Sequence, residues 1–188
     1  MNNKTYFCSD THLFHNNVLK FDKERWNRFT NIYSHNDYIA HEIQSLWENC
    51  DLYILWDLVW KMDLQSEMWM HERFFKNIKC KLHRILWNHD YSKIVDKYKQ
   101  YFETITPYHE WKYQWIKFIL FHYPILSWNW WMKRSIHIHW HDHRHSTLVE
   151  WNRFNIAYNW FQLLYNIEDF LNWKAKEIET IISNQTNE

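Results

Sequence analysis

Apolar residues along this chain fall in two kinds of pattern. Short runs rich in β-branched and aromatic residues, about the length of buried strands, occur at Thr5–Ser9, Leu52–Leu55, His83–Leu86, Ile116–Phe121, Ile136–His139 and Phe154–Tyr158. Between several of them the apolar positions recur every three to four residues. Ile39, Ile43, Leu46 and Trp47 do so within Asn36–Glu48, and Met70, Phe74, Phe75 and Ile78 within Glu67–Ile78. Strand, helix, strand is the rhythm of an α/β domain. In the second half, Tyr108–Tyr113 and Ile116–Phe121 are separated only by Gln114 and Trp115, so a tight hairpin and partly antiparallel later strands are expected. A C-terminal helix is expected from about Ile167 to Ile182, its apolar stripe flanked by charge. No repeat or Pro/Gly/Ser linker divides the chain, so residues 1–182 read as a single domain, followed by a polar tail at 183–188.

Charge narrows the partners. Lys plus Arg and Asp plus Glu stand at 22 each, leaving no net field toward nucleic acid or an anionic membrane. The three cysteines, Cys8, Cys50 and Cys80, are widely spaced and form no zinc pattern, which fits a reducing cytoplasm. The apolar stretch after Lys4 is too short for a signal sequence, and no run reaches membrane-spanning length. The expectation is a cytoplasmic chain without a membrane partner.

Metal-capable side chains punctuate the pattern, each group directly after a predicted strand. They are Asp10 and His12 in SDTH, Asp57 in WDL, Asn88, His89 and Asp90 in WNHD, His122 in FHYP, and His141 and His143 in WHDH. In open α/β sheets ligands gather outside the carboxyl ends of the strands, so these groups can converge on one cleft. A bridging carboxylate holds two cations roughly 3.5–4 Å apart, and Asp57 is the natural bridge. Imidazole, carboxylate and amide ligation without thiolate suits manganese, iron or zinc.

The ordered series D-x-H, G-D, G-N-H-D/E, H, G-H-x-H is that of the calcineurin-like metallophosphoesterases, which this sequence resembles over nearly its whole length. The segments SDTHLFHNNVLKFD, FHYPILSW and NRFNI resemble small bacterial and phage members. The resemblance implies an α/β fold, a four-layer αββα sandwich with mixed sheets. It implies a first metal held by Asp10, His12, Asp57 and His143, and a second by Asp57, Asn88, His122 and His141. His89 would face the phosphoryl group as acid or charge stabiliser, with Asp90 fixing its tautomer. A metal-bridging hydroxide would attack a phosphomonoester or phosphodiester in a small phosphorylated substrate. His15 follows the first motif closely enough to touch the phosphate. Two other functions stay open. One is a catalytically impaired binding scaffold of the same fold, and the other is a nuclease of the same superfamily, for which a nucleic-acid partner is not favoured without a basic groove.

Other residues read more plainly. His137 and His139 share one strand face, where a satisfied histidine is the ordinary case, and His145 belongs to a His-rich tract. Arg25, Arg28 and Arg153 read as surface or salt-bridging residues, and Cys8 as an inert buried thiol.

Composition carries one anomaly: there is no glycine, and there are 15 tryptophans. Trp56, Trp87 and Trp140 stand where the family pattern has glycine, and Trp115 stands where a tight hairpin wants one. Either these tryptophans are real and the chain is a damaged or inactive member of that pattern, or the written sequence misreports glycines; random decay would not strike glycine positions while leaving each metal ligand intact. UGA, which is read as tryptophan in some genetic codes and glycine in others, would do so. Protein isolated from its own organism is therefore expected to be lighter in intact-mass measurement, by one indole-methyl group for each such position. UGG codons at Trp56, Trp87 and Trp140 would overturn this.

Overall fold

A computed structural model describes residues 4–55, 57–60, 63–86, 92–130, 135–139, 152–156, 163–169 and 171–172. Among the described residues, nine strands form two mixed sheets. The first sheet has the order β4(Phe102–Thr106), β3(Lys81–Ile85), β2(Cys50–Leu55), β1(Lys4–Ser9), β9(Tyr165–Asn166). Its strands β1 to β4 pair in parallel, and β9 runs antiparallel to β1. The second sheet has the order β5(Tyr108–Tyr113), β6(Ile116–Phe121), β7(Ser135–His139), β8(Arg153–Asn155). Here β5 and β6 are antiparallel, whereas β6, β7 and β8 are parallel.

The central strands β1 and β2 of the first sheet are buried along most of their length because both of their faces are covered. On β2, Leu52 and Ile54 join the core beneath the helices, whereas Tyr53 and Leu55 point the other way. That second core holds Phe7, Tyr53, Leu55 and Ile85 of the first sheet against Tyr113, Phe118, Leu120, Ile136, Ile138 and Phe154 of the second. Helices, sheet and sheet are thus three layers among the described residues. The expected C-terminal helix is helical at 167–169 and 171–172, and its remainder lies outside the described residues.

Three helical segments fill the space between β1 and β2: α1(Val18–Phe21), α2(Lys23–Arg28) and α3(Ile32–Gln44). Asp22 caps α2 by accepting from the Glu24 and Arg25 amides. Asn31 caps α3 in a reciprocal capping box with Ser34. The cap sets α3 one turn earlier than apolar spacing alone indicates, and Trp47 falls beyond its end, exposed. After β2, α4(Leu64–Trp69) passes into a π turn at Met70–Phe74 and a 3₁₀ turn at Phe75–Asn77. The wider turn shifts the helical register, so that Met70, Phe74 and Phe75 all reach the core. α5(Ser92–Tyr98) precedes β4. The sequence pattern misses β4 and β9, the first because its residues are only half buried, the second because it has two residues.

Tyr113 pairs with Ile116, confirming the two-residue hairpin. Its positive φ falls on Gln114, at 52°, rather than on Trp115. The strain therefore sits at the first central position, as in a type II′ turn, which corrects the expectation for Trp115. Trp130 does take φ 67° and is exposed.

His137 is buried on β7, with Nδ1 3.2 Å from the Ile119 carbonyl, Nε2 3.0 Å from the Tyr123 carbonyl and the Ile125 amide 3.5 Å from Nε2. Burial pushes its pKa down to about 4 against the pull of those carbonyls. The unfolded chain thus takes up this proton first as acid is added. Stability from the neutral ring is complete above about pH 6.5 and is lost as pH falls toward about 4. Denaturant titrations are expected to show about 2 kcal/mol of acid destabilisation between pH 7 and 4.5 that His137→Asn abolishes. An identical acid slope in the variant would show that the ring's pKa is not lowered by folding.

Candidate metal centre

The site begins where β1 and β2 end. Their parallel pairing places Ser9 beside Leu55, so Asp10 and Asp57 leave the sheet close together. Beyond the strands the two chains stay joined through their backbones. The His12 amide donates to the Asp57 carbonyl at 2.7 Å, the Leu13 amide to the Leu58 carbonyl at 3.0 Å, and the Trp60 amide to the Leu13 carbonyl at 3.1 Å. Leu13 and Val59 form a parallel bridge. The Thr11 hydroxyl lies 3.2 Å from the Asp57 carbonyl and 3.0 Å from that of Leu58. Ser9 donates to the Ile156 carbonyl at 2.7 Å, tying this end of β1 to the loop after β8.

Asp10, His12 and Asp57 offer ligand atoms that all lie within 4.8 Å of one another. His12 Nε2 is 3.7 Å from Asp10 Oδ1 and 3.8 Å from Asp57 Oδ2, with Asp10 and His12 buried. Ligand atoms around one cation stand about 3–3.5 Å apart when the bonds are about 2.1 Å. The group is therefore slightly open but of the right size. Two carboxylates this close repel when both are ionised, and a divalent cation offsets that repulsion. The donor set fits a borderline or hard cation. Cys8, one strand position before Ser9, is buried with its thiol pushed up to about 12, and lies outside this group.

Backbone strain concentrates here. Asp10, His12 and Phe14 alternate through the left-handed region at φ 51°, 47° and 61°, and Asp57 stands at 35°. Aspartate and histidine tolerate that region better than most residues, whereas for Phe14 it is a true outlier.

His15 lies one turn further on, its amide bonded to the His12 carbonyl at 3.1 Å and its ring 5.4 Å from that of His12. Its other face stacks on Trp60 at 4.3 Å. Burial, then the nearby Arg25 charge, lowers its pKa, so the ring is neutral at pH 7 and can accept or donate one hydrogen bond. His122 directly follows β6 of the second sheet, is buried, and lies outside the group of three. Asn88, His89, Asp90, His141 and His143 lie outside the described residues, as do Trp56, Trp87 and Trp140. The structure thus brings together the first two motifs.

Arg25, expected as a surface or salt-bridging residue, does pair with Asp22, but its burial and its reach to the site are what sequence reasoning missed. It is 3% exposed, and its Nη2 donates to the Asp10 carbonyl at 2.8 Å. Its Nε is 3.0 Å from Asp22 Oδ2 and its Nη1 is 3.3 Å from His35 Nε2. The available signal was Asp22 three residues earlier, which caps the helix and pairs with the guanidinium on the same turn.

No protein-family model matches this chain, and no curated protein matches it. Among solved structures it is similar to a protein of unknown function from Aquifex aeolicus, at 20% identity and a TM-score of 0.67, over 90% of this chain and 98% of that one. That likeness shows the fold alone. It is also distantly similar to an archaeal phosphodiesterase, at 14% identity and a TM-score of 0.44, over 82% of this chain and 83% of that one.

Asp57→Ala is expected to lower manganese or cobalt content, measured by equilibrium dialysis, by more than about tenfold. Wild-type content in that variant would remove Asp57 from the centre.

Proposed function

We propose that this chain is a metal-dependent phosphoric ester hydrolase acting on a phosphomonoester or phosphodiester. The observation that carries the reading is the convergence of Asp10, His12 and Asp57 at the ends of adjacent parallel strands, reached by the first two of five motifs in order. The three described layers are compatible with a four-layer αββα sandwich, whose fourth layer would be the C-terminal helix.

In this reading Asp10, His12, Asp57 and His143 hold one divalent ion, and Asp57, Asn88, His122 and His141 hold another. When bound, such a pair supplies a hydroxide nucleophile near neutral pH and neutralises charge on the phosphoryl oxygens. The protein does the rest. Asp57 would be the carboxylate shared by the two ions. The backbone bonds from His12 and Leu13 to the Asp57 loop keep the ligands from spreading apart. His89 gives a proton to, or stabilises charge on, the leaving oxygen, and Asp90 holds its ring in the right tautomer. His15, neutral and beside His12, hydrogen-bonds a phosphoryl oxygen through its ring N–H.

Purified protein is expected to hydrolyse an activated monoester or diester only with manganese, iron or zinc added, as read by product release across a substrate panel. Full activity after thorough chelation would sink the reading, and metal uptake without any hydrolysis would favour the binding scaffold. His89→Ala should lower turnover by about 10²–10⁴ while metal content stays near wild type. Metal loss equal to that in Asp57→Ala would show that His89 is a ligand instead.

A further inference from the structure

The turn that carries Asp10 and His12 is held from behind by a continuous chain of buried side chains. Arg25, from α2, donates through Nη2 to the Asp10 carbonyl. Its Nη1 lies 3.3 Å from His35 Nε2 on α3, and since a guanidinium can only donate, Nε2 is the acceptor. His35 is fully buried, and burial together with the Arg25 charge pushes its pKa down to about 3, so the ring is neutral and its single proton sits on Nδ1. That Nδ1 lies 3.4 Å from Asn36 Oδ1, which also accepts from the Phe14 amide at 3.3 Å. The chain therefore runs from the carbonyl of Asp10 to the amide of Phe14, with Arg25 donating to both of its neighbours and Asn36 Oδ1 accepting from both of its own. It grips both ends of the segment in which Asp10, His12 and Phe14 adopt left-handed backbone.

We propose that Arg25, His35 and Asn36 are positioning residues that impose this strained turn and thereby set where the Asp10 and His12 side chains meet a metal ion. The inference rests on the metal reading above. Three features support it. Left-handed backbone at three alternate residues persists only where surrounding contacts over-determine it, and the backbone atoms gripped are those at either end of the strained stretch. Arg25 is out of reach of a substrate phosphate, being buried with Asp22, His35 and the Asp10 carbonyl around its head group. Asp22 in turn is fixed as the cap of α2, so the guanidinium is anchored on the helix before it reaches the turn.

The test is a cobalt(II) titration of the full chain, reading affinity and the visible ligand-field spectrum. Arg25→Ala should bind cobalt(II) about 10–100-fold more weakly, with a shifted or weakened band, the range for losing a group that orients a ligand. Added guanidinium should restore part of both. Arg25→Lys keeps the charge but cannot reach three partners at once, and should remain weaker than wild type. Asn36→Ala, which releases only the Phe14 amide, should give a smaller change in the same direction and carries the test if the arginine variants do not fold. Ile136→Val, in the core between the sheets and outside the cluster that holds Leu13, serves as a control for general destabilisation and should keep wild-type affinity and spectrum. Unchanged affinity and spectrum in Arg25→Ala, or a loss that Ile136→Val matches, would overturn the proposal while leaving the metal reading intact. Failure of the wild-type chain to take up cobalt(II) would overturn both.

Discussion

The backbone ladder between β1 and β2 is the constraint on which the candidate centre depends. Within the sheet it runs from Lys4 beside Cys50 to Ser9 beside Leu55. It then continues past the strand ends through the bonds of His12, Leu13 and Trp60 with the opposite loop. Buried backbone groups must find partners, and here the loops satisfy one another instead of turning to solvent. The consequence is geometric. Two ligand-bearing segments separated by more than forty residues in sequence are fixed at one spacing, which brings both carboxylates and an imidazole within one cation's reach.

That geometry costs backbone strain, and the fold holds it through contacts on both sides of the turn. On one side lie the Asp57 and Leu58 carbonyls and the Thr11 hydroxyl. On the other lie Arg25, His35 and Asn36 from two helices. Each left-handed residue costs about 1–2 kcal/mol for a side chain with Cβ, so a turn with three of them stands only where several good hydrogen bonds oppose the cost. The same reasoning gives the tryptophans their weight. A chain with no glycine must place ordinary residues wherever φ is positive, as it does at Gln114 and Trp130. Aspartate and histidine bear this at less cost than most residues, but an indole gains nothing from it.

The two cores explain why the site can be rigid at the junction of loops. Beneath the helices, Leu13 at the turn packs in the same cluster as Ile39 and Ile43 of α3 and Leu52 and Ile54 of β2. Between the sheets, Phe7 sits against Trp111 and Tyr53, and Ser9 reaches across to the Ile156 carbonyl. The ligand turn is therefore anchored into one core by Leu13 and to the second sheet by Ser9. Burial of apolar surface, rather than any single polar contact, supplies the free energy against which the strain is set.

By itself the sequence determined the alternation of strands and helices, the hairpin at Gln114 and Trp115, and the placement of Asp10, His12 and Asp57 directly behind strands, because those properties follow from local periodicity and from chain order. The strand from Phe102 to Thr106 stayed hidden, since a half-buried edge strand carries little apolar pattern. The π turn at Met70–Phe74 stayed hidden too, because its register shift answers to the core it packs against. Arg25 is the clearest case. In the sequence it is one arginine among several near a helix start, and the local signal of Asp22 three residues earlier points to a pair on the helix but not to the Asp10 carbonyl. Only the packing of α2 against the end of β1 buries its head group and aims it at the Asp10 carbonyl, since a long side chain's partners are fixed by what the fold brings within its reach.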